Sequence, residues 1–448
     1  MSLREIIEQE IRDHGAMAFS RYMEICLYDP AQGYYSRNAE QFGKAGDFYT
    51  SSDIHAVFGR LLARQFDEMW QALDCPPKIE ILELGPGRGL FARDVLDWSK
   101  KRFPGFFAAL RYTLQESSPA LRTKLQDNLR EHLGSGKAAL SQDRLDSHTP
   151  AEPDSLQTPN LPLRGKTNRD SLDAGAPERQ AGTDANVNSD AGVEDRSAPK
   201  GRASLAQRFS AGYRGSGDQV PEGRPIRIHR TCSPETPLIV FANEFFDALP
   251  VEILSTKGKL HLALENNRLH EIWLLPAAEE LELLDHYGVH PEPGERLEVC
   301  RIAQDWMTQI ARSISKGFLL IFDYGYSRSE QLAGHHRGTL MAYRNHSATP
   351  NPYQAPGEQD LTAHVNFTAL AAAASDAGLD VRPLRTQSQF LMRIGEANQF
   401  SDAFEDCRLP QERAKVALQL KHLVTPAGMG ETFRVLVASR GVVTEEAT

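Results

Sequence analysis

The fold of this chain is predicted by one stretch, Lys78-Ile-Glu-Ile-Leu-Glu-Leu-Gly-Pro-Gly-Arg-Gly-Leu90. The apolar run up to Leu84 is typical of a buried strand, and the glycine-rich turn after it leads into a helix. A strand over 112–116 and a helix with Pro119 near its first turn come next. Strand, glycine-rich turn, helix, strand and helix are the opening of a doubly wound sheet, so the sequence predicts an α/β fold of the Rossmann-like type.

The glycine turn also predicts a cofactor site. Glycines between a strand and a helix let a ligand approach the backbone closely, because any side chain there would block it. Glu83 lies just before the first glycine, and Glu116 ends the next strand, where a carboxylate is suited to accept hydrogen bonds from both hydroxyls of a ribose. Leu90 stands where the dinucleotide fingerprint G-x-G-x-x-G requires its third glycine, which argues against a nicotinamide cofactor. A tight turn without a ligand is the alternative. The predicted cofactor-binding residues here are Glu83, Gly85, Pro86, Gly87, Gly89 and Glu116.

A second group of polar residues follows a short apolar strand over 238–241. Asn243, Glu244 and Asp247 should project from the carboxyl edge of the sheet and face the glycine turn. An amide and two carboxylates at this place could hold a nitrogen nucleophile and accept its charge during a group transfer, so we predict these three as catalytic residues. The alternative is that Asp247 or Asn243 only caps a helix or turn.

Two further candidates lie late in the chain. Asp323 ends a strongly apolar strand over 317–323, and it is either a site residue or the cap of the following loop. His364 belongs to a long loop over 338–367, whose buried-type residues favour a functional role. We predict His364 as a catalytic residue, with a structural histidine as the alternative. The His, Cys and carboxylate residues nowhere show the spacing of a metal site, so no metal is predicted.

Composition argues against several kinds of binding partner and covalent or metal cross-link. A net charge of -10 and a pI near 5.8 argue against general nucleic-acid binding. The five cysteines are odd in number, scattered and without a C-x-x-C pair, which predicts neither a disulfide framework nor a zinc cluster. Apolar runs stay far below the roughly 18 residues that cross a bilayer. Residues 1–10 are acidic and polar, without the character of a targeting segment. We therefore expect a cytoplasmic protein without membrane association.

The chain is longer than a typical single domain, so elaborations of its core are expected. From 141 to 232 it is rich in Ser, Asp, Gly, Pro, Arg and Asn and lacks aliphatic periodicity, which predicts a disordered insertion. Alternating segments within 251–300 predict an inserted lobe of hairpin strands. The predicted organisation is an N-terminal helical segment (1–75), a Rossmann-like domain (76–140 and 233–440) that carries the hairpin lobe (251–300), the insertion (141–232) and a tail (441–448).

Several ordered strings of residues resemble those of one known family. They are Tyr22-Met-Glu to Leu27-Tyr-Asp-Pro with Gly33-Tyr-Tyr, Gly46-Asp-Phe to Thr50-Ser, Leu82-Glu-Leu-Gly-Pro-Gly-Arg-Gly, Asn243-Glu-Phe-Phe-Asp-Ala-Leu-Pro-Val, Asp323-Tyr-Gly, Gly338-Thr-Leu, and Pro356-Gly to Asp360-Leu-Thr-Ala-His-Val. In these strings the chain resembles the mitochondrial complex I assembly-factor methyltransferases and their bacterial relatives, the MidA-like group. The resemblance spans about 1–133 and 237–439.

The resemblance implies a class I methyltransferase fold, S-adenosyl-L-methionine as methyl donor, and a protein substrate. The mitochondrial members resemble arginine methyltransferases that act on a complex I core subunit, so arginine and a respiratory-complex subunit are the implied targets. By the same resemblance Gly46, Asp47 and Thr50 bind the cofactor, with the N-terminal segment closing over it. Two other functions stay open: a non-catalytic assembly factor that retains the fold, and a nicotinamide-dependent oxidoreductase. A homodimer is left open as well.

Overall fold

The strand predicted before the glycine turn forms at Ile79–Leu84, and each of its residues is buried. The computed structural model describes residues 1–37, 56–141, 226–344, 347–349 and 351–442, and the fold is given for these residues. Their strands are β1 (Met17–Ala18), β2 (Ile79–Leu84), β3 (Leu110–Gln115), β4 (Ala138–Leu140), β5 (Leu238–Asn243), β6 (Glu252–Ser255), β7 (Gly258–Glu265), β8 (Arg268–Leu274), β9 (Leu297–Val299), β10 (Gly317–Tyr326), β11 (Met341–Arg344), β12 (Ser347–Thr349), β13 (Asp360–Thr362), β14 (Val365–Asn366), β15 (Asp380–Val381), β16 (Arg385–Thr386) and β17 (Phe433–Arg440).

Helices connect these strands and cover them. They are α1 (Leu3–His14), α2 (Phe19–Tyr28), α3 (Tyr34–Arg37), α4 (Ala56–Ala72), α5 (Leu90–Arg102), α6 (Pro104–Ala109), α7 (Pro119–Asn128), α8 (Arg130–Gly134), α9 (Ala278–Tyr287), α10 (Ile302–Ser313), α11 (Arg328–Leu332), α12 (Phe367–Asp376), α13 (Gln387–Glu396), α14 (Ser401–Phe404) and α15 (Pro410–Val424). The helix α5 begins directly after the glycine turn, as the sequence predicts.

The main sheet has the strand order β15-β17-β10-β5-β2-β3-β4. The strands from β10 to β4 run parallel, while β17 is antiparallel to its neighbour β10. The chain builds outward from β2 through β3 to β4 and then returns to the other side of β2 with β5. The strand order therefore reverses between β2 and β5, and in open α/β sheets ligands bind outside the carboxyl ends of the strands at such a point.

Both faces of this sheet are covered. Along β10, Phe318, Leu320 and Phe322 belong to the apolar core on one face, while Leu319 and Ile321 belong to the core on the other. This alternation follows from the two-residue period of a strand. Burial on both faces explains why β10 reads as a continuous apolar run in the sequence.

The N-terminal segment packs against the inserted hairpin strands. The strand β1 pairs antiparallel with β7, and the helices α1 and α2 share a core with the hairpin strands β6 to β8. This arrangement confirms the predicted α/β doubly wound fold with an N-terminal helical extension and an inserted hairpin lobe. The exact domain boundaries stay predictions.

Two segments differ from their sequence-based description. Residues 226–232 were assigned to the insertion, yet Arg230 Nε donates to Glu80 Oε2 at 2.9 Å and Thr231 N donates to Glu80 Oε1 at 2.8 Å. Glu80 is fully buried in β2, and such a carboxylate requires a partner that apolar periodicity does not reveal. The loop predicted over 338–367 contains the small sheet β12-β11-β13, whose strands are too short to show an alternating pattern. The remaining insertion (142–225) and the tail from 443 lie outside the described residues.

Candidate active site

Two loops meet where the strand order reverses. One is the glycine turn after β2, and the other begins at Asn243, the last residue of β5. A Cβ atom on Gly85 would lie 3.1 Å from Phe245 Cδ2, so the two loops are in contact. The structure thus brings together the two groups of residues that the sequence places at the carboxyl edge of the sheet.

The backbone of the glycine turn adopts a conformation that residues with side chains rarely adopt. Gly85, Gly87 and Gly89 have φ angles of 65°, 55° and 71°, in the left-handed region that favours glycine. A Cβ on Gly89 would lie 3.0 Å from both Leu125 and Leu129, so this glycine lets α7 pack closely. A Cβ on Gly87 would meet no described atom within 4 Å, so its backbone stands beside open space that a ligand can occupy.

Two buried glutamates flank this turn. Glu116 Oε2 accepts a hydrogen bond from Gly87 N at 3.0 Å, and its Oε1 accepts one from Ser118 N at 2.8 Å. Glu83 Oε2 accepts one from the Tyr112 hydroxyl at 2.8 Å. Burial raises the pKa of Glu83 to about 8 and that of Glu116 to about 7. Both carboxyls are therefore held in place before any ligand binds.

The loop after β5 begins with a strained residue. Glu244 has a φ of 51°, and its N–H donates to the carbonyl of Phe322 at 3.0 Å. A non-glycine residue in this region costs on the order of 1 kcal/mol, and such residues cluster at functional sites. Asn243 Nδ2 donates to Glu244 Oε1 at 3.0 Å. Among the described residues, the buried Asn243 Oδ1 has no hydrogen-bond partner.

Asp323 organises this same loop. Its Oδ2 accepts hydrogen bonds from the backbone N–H groups of Phe245 at 3.2 Å, Phe246 at 2.8 Å and Asp247 at 3.4 Å. Its Oδ1 accepts one from Tyr324 N at 2.9 Å. Of the two roles that the sequence leaves open for Asp323, these contacts fit the capping role, although the loop it caps is the one after β5 and not the loop after its own strand.

Asp247 lies in the same buried, acidic surroundings. Burial raises its pKa to about 7, and the pKa of the neighbouring Asp323 is raised further by burial and by the charge of Asp247. In the described part of the chain neither carboxylate forms an ion pair. A cation bound beside them would lower both pKa values and favour the ionised carboxylates, whereas Glu80 already has Arg230 as its partner.

His364 lies at the edge of this region. Its ring stacks on that of Tyr324 with centroids 6.3 Å apart, and its Nδ1 lies 3.0 Å from His336 Nδ1. One Nδ1 donates its hydrogen and the other accepts it, so the accepting nitrogen carries no hydrogen and its imidazole ring is neutral. Burial lowers the pKa of His364 to about 4. No contact between His364 and the carboxylates of the β5 loop places it at the reacting atoms, so its catalytic role stays a prediction.

Two tyrosines of this region were not among the predicted site residues. Tyr28 donates its hydroxyl hydrogen to the carbonyl of Ala248 at 2.8 Å, and Tyr35 donates to Asp360 Oδ1 at 2.8 Å. Both belong to motifs quoted for the family resemblance, which is the one sequence signal that points to them. Their contacts bring the N-terminal segment to the rim of the site.

Three predictions remain: the cofactor residues of the N-terminal segment, the lack of a metal site and the lack of a membrane-spanning helix. Gly46, Asp47 and Thr50 lie outside the described residues. Within the described ranges, His, Cys, Asp and Glu side chains form no group of three or more that could hold a metal ion. The helices of those ranges include none that is long and apolar enough to cross a membrane.

Comparison with known proteins gives matches over most of the chain. Residues 61–170 and 202–384 match the model of a family described as "Putative S-adenosyl-L-methionine-dependent methyltransferase". A relative from Drosophila melanogaster, named protein arginine methyltransferase NDUFAF7 homolog, mitochondrial, is 28% identical, over 99% of this chain and 86% of its own length. The human protein arginine methyltransferase NDUFAF7, mitochondrial, is 25% identical over 95% of this chain and 80% of its own length.

A solved structure supports the fold assignment. A COG1565 superfamily member from Burkholderia thailandensis, bound to S-adenosyl-homocysteine, superposes with a TM-score of 0.67. It is 22% identical and covers 99% of this chain and 92% of its own chain. At this identity the similarity shows the shared fold.

The same comparison corrects one prediction. The prediction of a cytoplasmic protein is wrong, because the curated relatives are named as mitochondrial proteins. That prediction rested on the scattered cysteines, the short apolar runs and the lack of targeting character in residues 1–10.

Proposed function

The chain belongs to this family of S-adenosyl-L-methionine-dependent methyltransferases, and from that premise we propose that it transfers the methyl group to a guanidinium nitrogen of an arginine in a protein substrate. The curated relatives are named protein arginine methyltransferases, which supports this choice of acceptor. By the family resemblance we propose a subunit of a respiratory complex as the substrate protein.

The glycine turn and its two glutamates fit the methyl donor. Gly87 leaves its backbone beside open space, as close approach of an adenosyl ligand requires. An ionised carboxylate offers about four lone-pair positions, and Glu116 accepts backbone hydrogen bonds from Gly87, Ser118 and Ser117, which leaves room for a ribose hydroxyl. We assign Gly85, Gly87 and Glu116 to donor binding. Glu83, near the end of β2, supports the glycine turn that follows that strand.

The observation that carries the choice of arginine is the pair of buried carboxyls, Asp247 and Asp323, beside the loop after β5. Buried carboxylates are costly unless they are paired, and in the described part of the chain Asp247 and Asp323 have no ion-pair partner. A guanidinium presents five N–H donors in a plane and binds carboxylates through two parallel hydrogen bonds. Glu244, Asp247 and the free oxygen of Asn243 offer acceptors of that kind at the rim of the donor site.

The reaction requires a base as well as a binding site. Bound S-adenosyl-L-methionine would supply an electrophilic methyl group, whose bond to sulfur breaks as S-adenosyl-homocysteine leaves. As a guanidinium nitrogen forms its new bond to carbon, one of its N–H bonds breaks and the proton passes to a carboxylate. Asp247, with its pKa raised to about 7, is suited to take that proton near neutral pH. Glu244 and Asn243 orient the guanidinium and balance the charge that develops on it.

The proposal is tested with methyl-labelled S-adenosyl-L-methionine and a pair of synthetic peptides that differ only by arginine or lysine at one position. We expect label in methylated arginine after hydrolysis of the first peptide, and none in the second. An Asp247→Asn variant should keep the fold and lose transfer. Equal labelling of the lysine peptide, or labelled arginine undiminished in the variant, would contradict the assignment.

A further inference from the structure

Tyr35 contacts both halves of the proposed site. Its backbone carbonyl accepts a hydrogen bond from the Ser118 hydroxyl at 2.5 Å, and its own hydroxyl donates to Asp360 Oδ1 at 2.8 Å. Its ring lies beside that of Tyr28, with centroids 5.6 Å apart.

The sequence before Tyr35 fixes its position. Asp29 Oδ1 accepts the N–H groups of Ala31 at 3.0 Å and Gln32 at 2.8 Å, which forms a tight turn after α2. A Cβ on Gly33 would lie 2.5 Å from Asp29 N, so only glycine fits the next position. The turn therefore delivers Tyr35, within α3, at one defined place above the sheet.

On the donor side, Tyr35 is joined to the proposed ribose carboxylate through one residue. Ser118 N donates to Glu116 Oε1 at 2.8 Å, while the Ser118 hydroxyl donates to the Tyr35 carbonyl. The Ser118 Oγ also accepts the N–H of Leu121 at 3.2 Å and caps α7. This side of the contact uses the backbone of Tyr35, so it survives the loss of the hydroxyl group.

On the acceptor side, Tyr35 is joined to the proposed base. Asp360 is fully buried and begins β13. One residue beyond the end of that strand, Ala363 N donates to the carbonyl of Asp247 at 3.0 Å. A shift of Asp360 would therefore be transmitted along three residues of strand to the backbone of the acidic loop.

We propose that Tyr35 is a positioning residue that fixes Asp360, and through it the loop of Asp247, relative to Glu116. The methyl group and the acceptor nitrogen must meet within a narrow geometry, and small misplacements lower the rate strongly. The inference rests on the proposed function, because it assigns Glu116 to the donor and Asp247 to the acceptor. It predicts that loss of the Tyr35 hydroxyl slows methyl transfer to the acceptor but leaves binding of the methyl donor unchanged.

The test compares Tyr35→Phe with a matched control, Tyr22→Phe. Tyr22 lies in α2, and its hydroxyl donates to the carbonyl of Pro352 at 2.8 Å, so the control loses a hydrogen bond of equal length between the same two parts of the chain. We expect Tyr35→Phe to lower kcat/KM for the arginine peptide at least tenfold, with the KM of S-adenosyl-L-methionine changed less than twofold. The control should resemble the wild-type chain in both constants.

A second variant keeps the inference testable if Tyr35→Phe folds poorly. Asp360→Ala, which removes the acceptor of the Tyr35 hydroxyl, should show the same separation of the two constants. The double variant should be no less active than the less active single variant, because both changes break the same contact. An active wild-type chain with Tyr35→Phe equal to the control, or with both substrates affected alike, overturns the inference alone. A wild-type chain that methylates neither peptide overturns the proposed function and the inference with it.

Discussion

The buried carboxyl of Glu83 makes a specific prediction about stability and pH. Only 4% of Glu83 is exposed, and it lies in β2 with the Tyr112 hydroxyl as its hydrogen-bond donor. Burial, and to a smaller extent the charge of Glu116, raises its pKa from the usual 4.5 to about 8. Between these two values the folded chain retains a proton that the unfolded chain has lost. Stability must therefore fall as pH rises through this range.

The size of the effect follows from the two pKa values. Each pH unit between them costs about 1.4 kcal/mol, so the contribution of Glu83 to the free energy of unfolding falls by about 4 kcal/mol from pH 5 to pH 9. A Glu83→Gln variant cannot lose this proton, and its amide oxygen can still accept from Tyr112. Its side-chain N–H groups add a constant cost of about 1–3 kcal/mol, which does not depend on pH.

The assay is urea unfolding of the full chain at pH 5, 7 and 9, for the wild type and for Glu83→Gln. Glu265→Gln, which changes an exposed glutamate, is the control. We expect the difference in unfolding free energy between wild type and Glu83→Gln to shift by about 4 kcal/mol in favour of the variant over this range. The control should follow the wild type. A constant difference between wild type and Glu83→Gln would refute the reasoning, since it would mean that Glu83 titrates alike in both states.

Three further changes test the site and its support. Gly87→Ala should cost about 1 kcal/mol of stability, because its Cβ meets no atom and only the left-handed φ is unfavourable, but it should weaken S-adenosyl-homocysteine binding in calorimetry. Asp323→Ala should lower stability by about 3 kcal/mol and abolish transfer while retaining that ligand, because the backbone N–H groups of the acidic loop lose their acceptor. Arg230→Ala should cost about 3–5 kcal/mol in urea unfolding by leaving Glu80 buried without its cation, whereas the exposed Arg130→Ala should change stability by less than about 0.5 kcal/mol.

The sequence predicted those parts of the site that depend on neighbours along the chain. The order of strand, glycine turn and helix is local, so Gly85 and Glu116 could be placed at one edge of the sheet from their positions after strands. Asn243 and Glu244 could be placed there for the same reason. These residues lie where the strand order reverses, as the structure confirms.

The contacts that the sequence could not predict join distant parts of the chain. Tyr35 and Asp360 are 325 residues apart, and no periodicity connects them. The role of Asp323 depends on β10 lying beside β5, which brings its carboxylate under the N–H groups of another loop. A buried ionic contact such as that of Arg230 with Glu80 likewise leaves no apolar pattern, so residues 226–232 read as part of the insertion.

We propose that one side of the site binds the methyl donor and that the other side binds its acceptor. Calorimetric titration with S-adenosyl-homocysteine, of Glu116→Ala and Glu244→Ala side by side, tests it most directly. Loss of the ribose hydrogen bond, worth about 1.5–3 kcal/mol to a charged group, should weaken binding to Glu116→Ala at least tenfold. Glu244→Ala should bind within about threefold of the wild type and yet transfer no methyl group, since a threefold change is below 1 kcal/mol. Equal loss of binding in both variants, or unchanged binding in Glu116→Ala with both variants still folded, would contradict this division of the site.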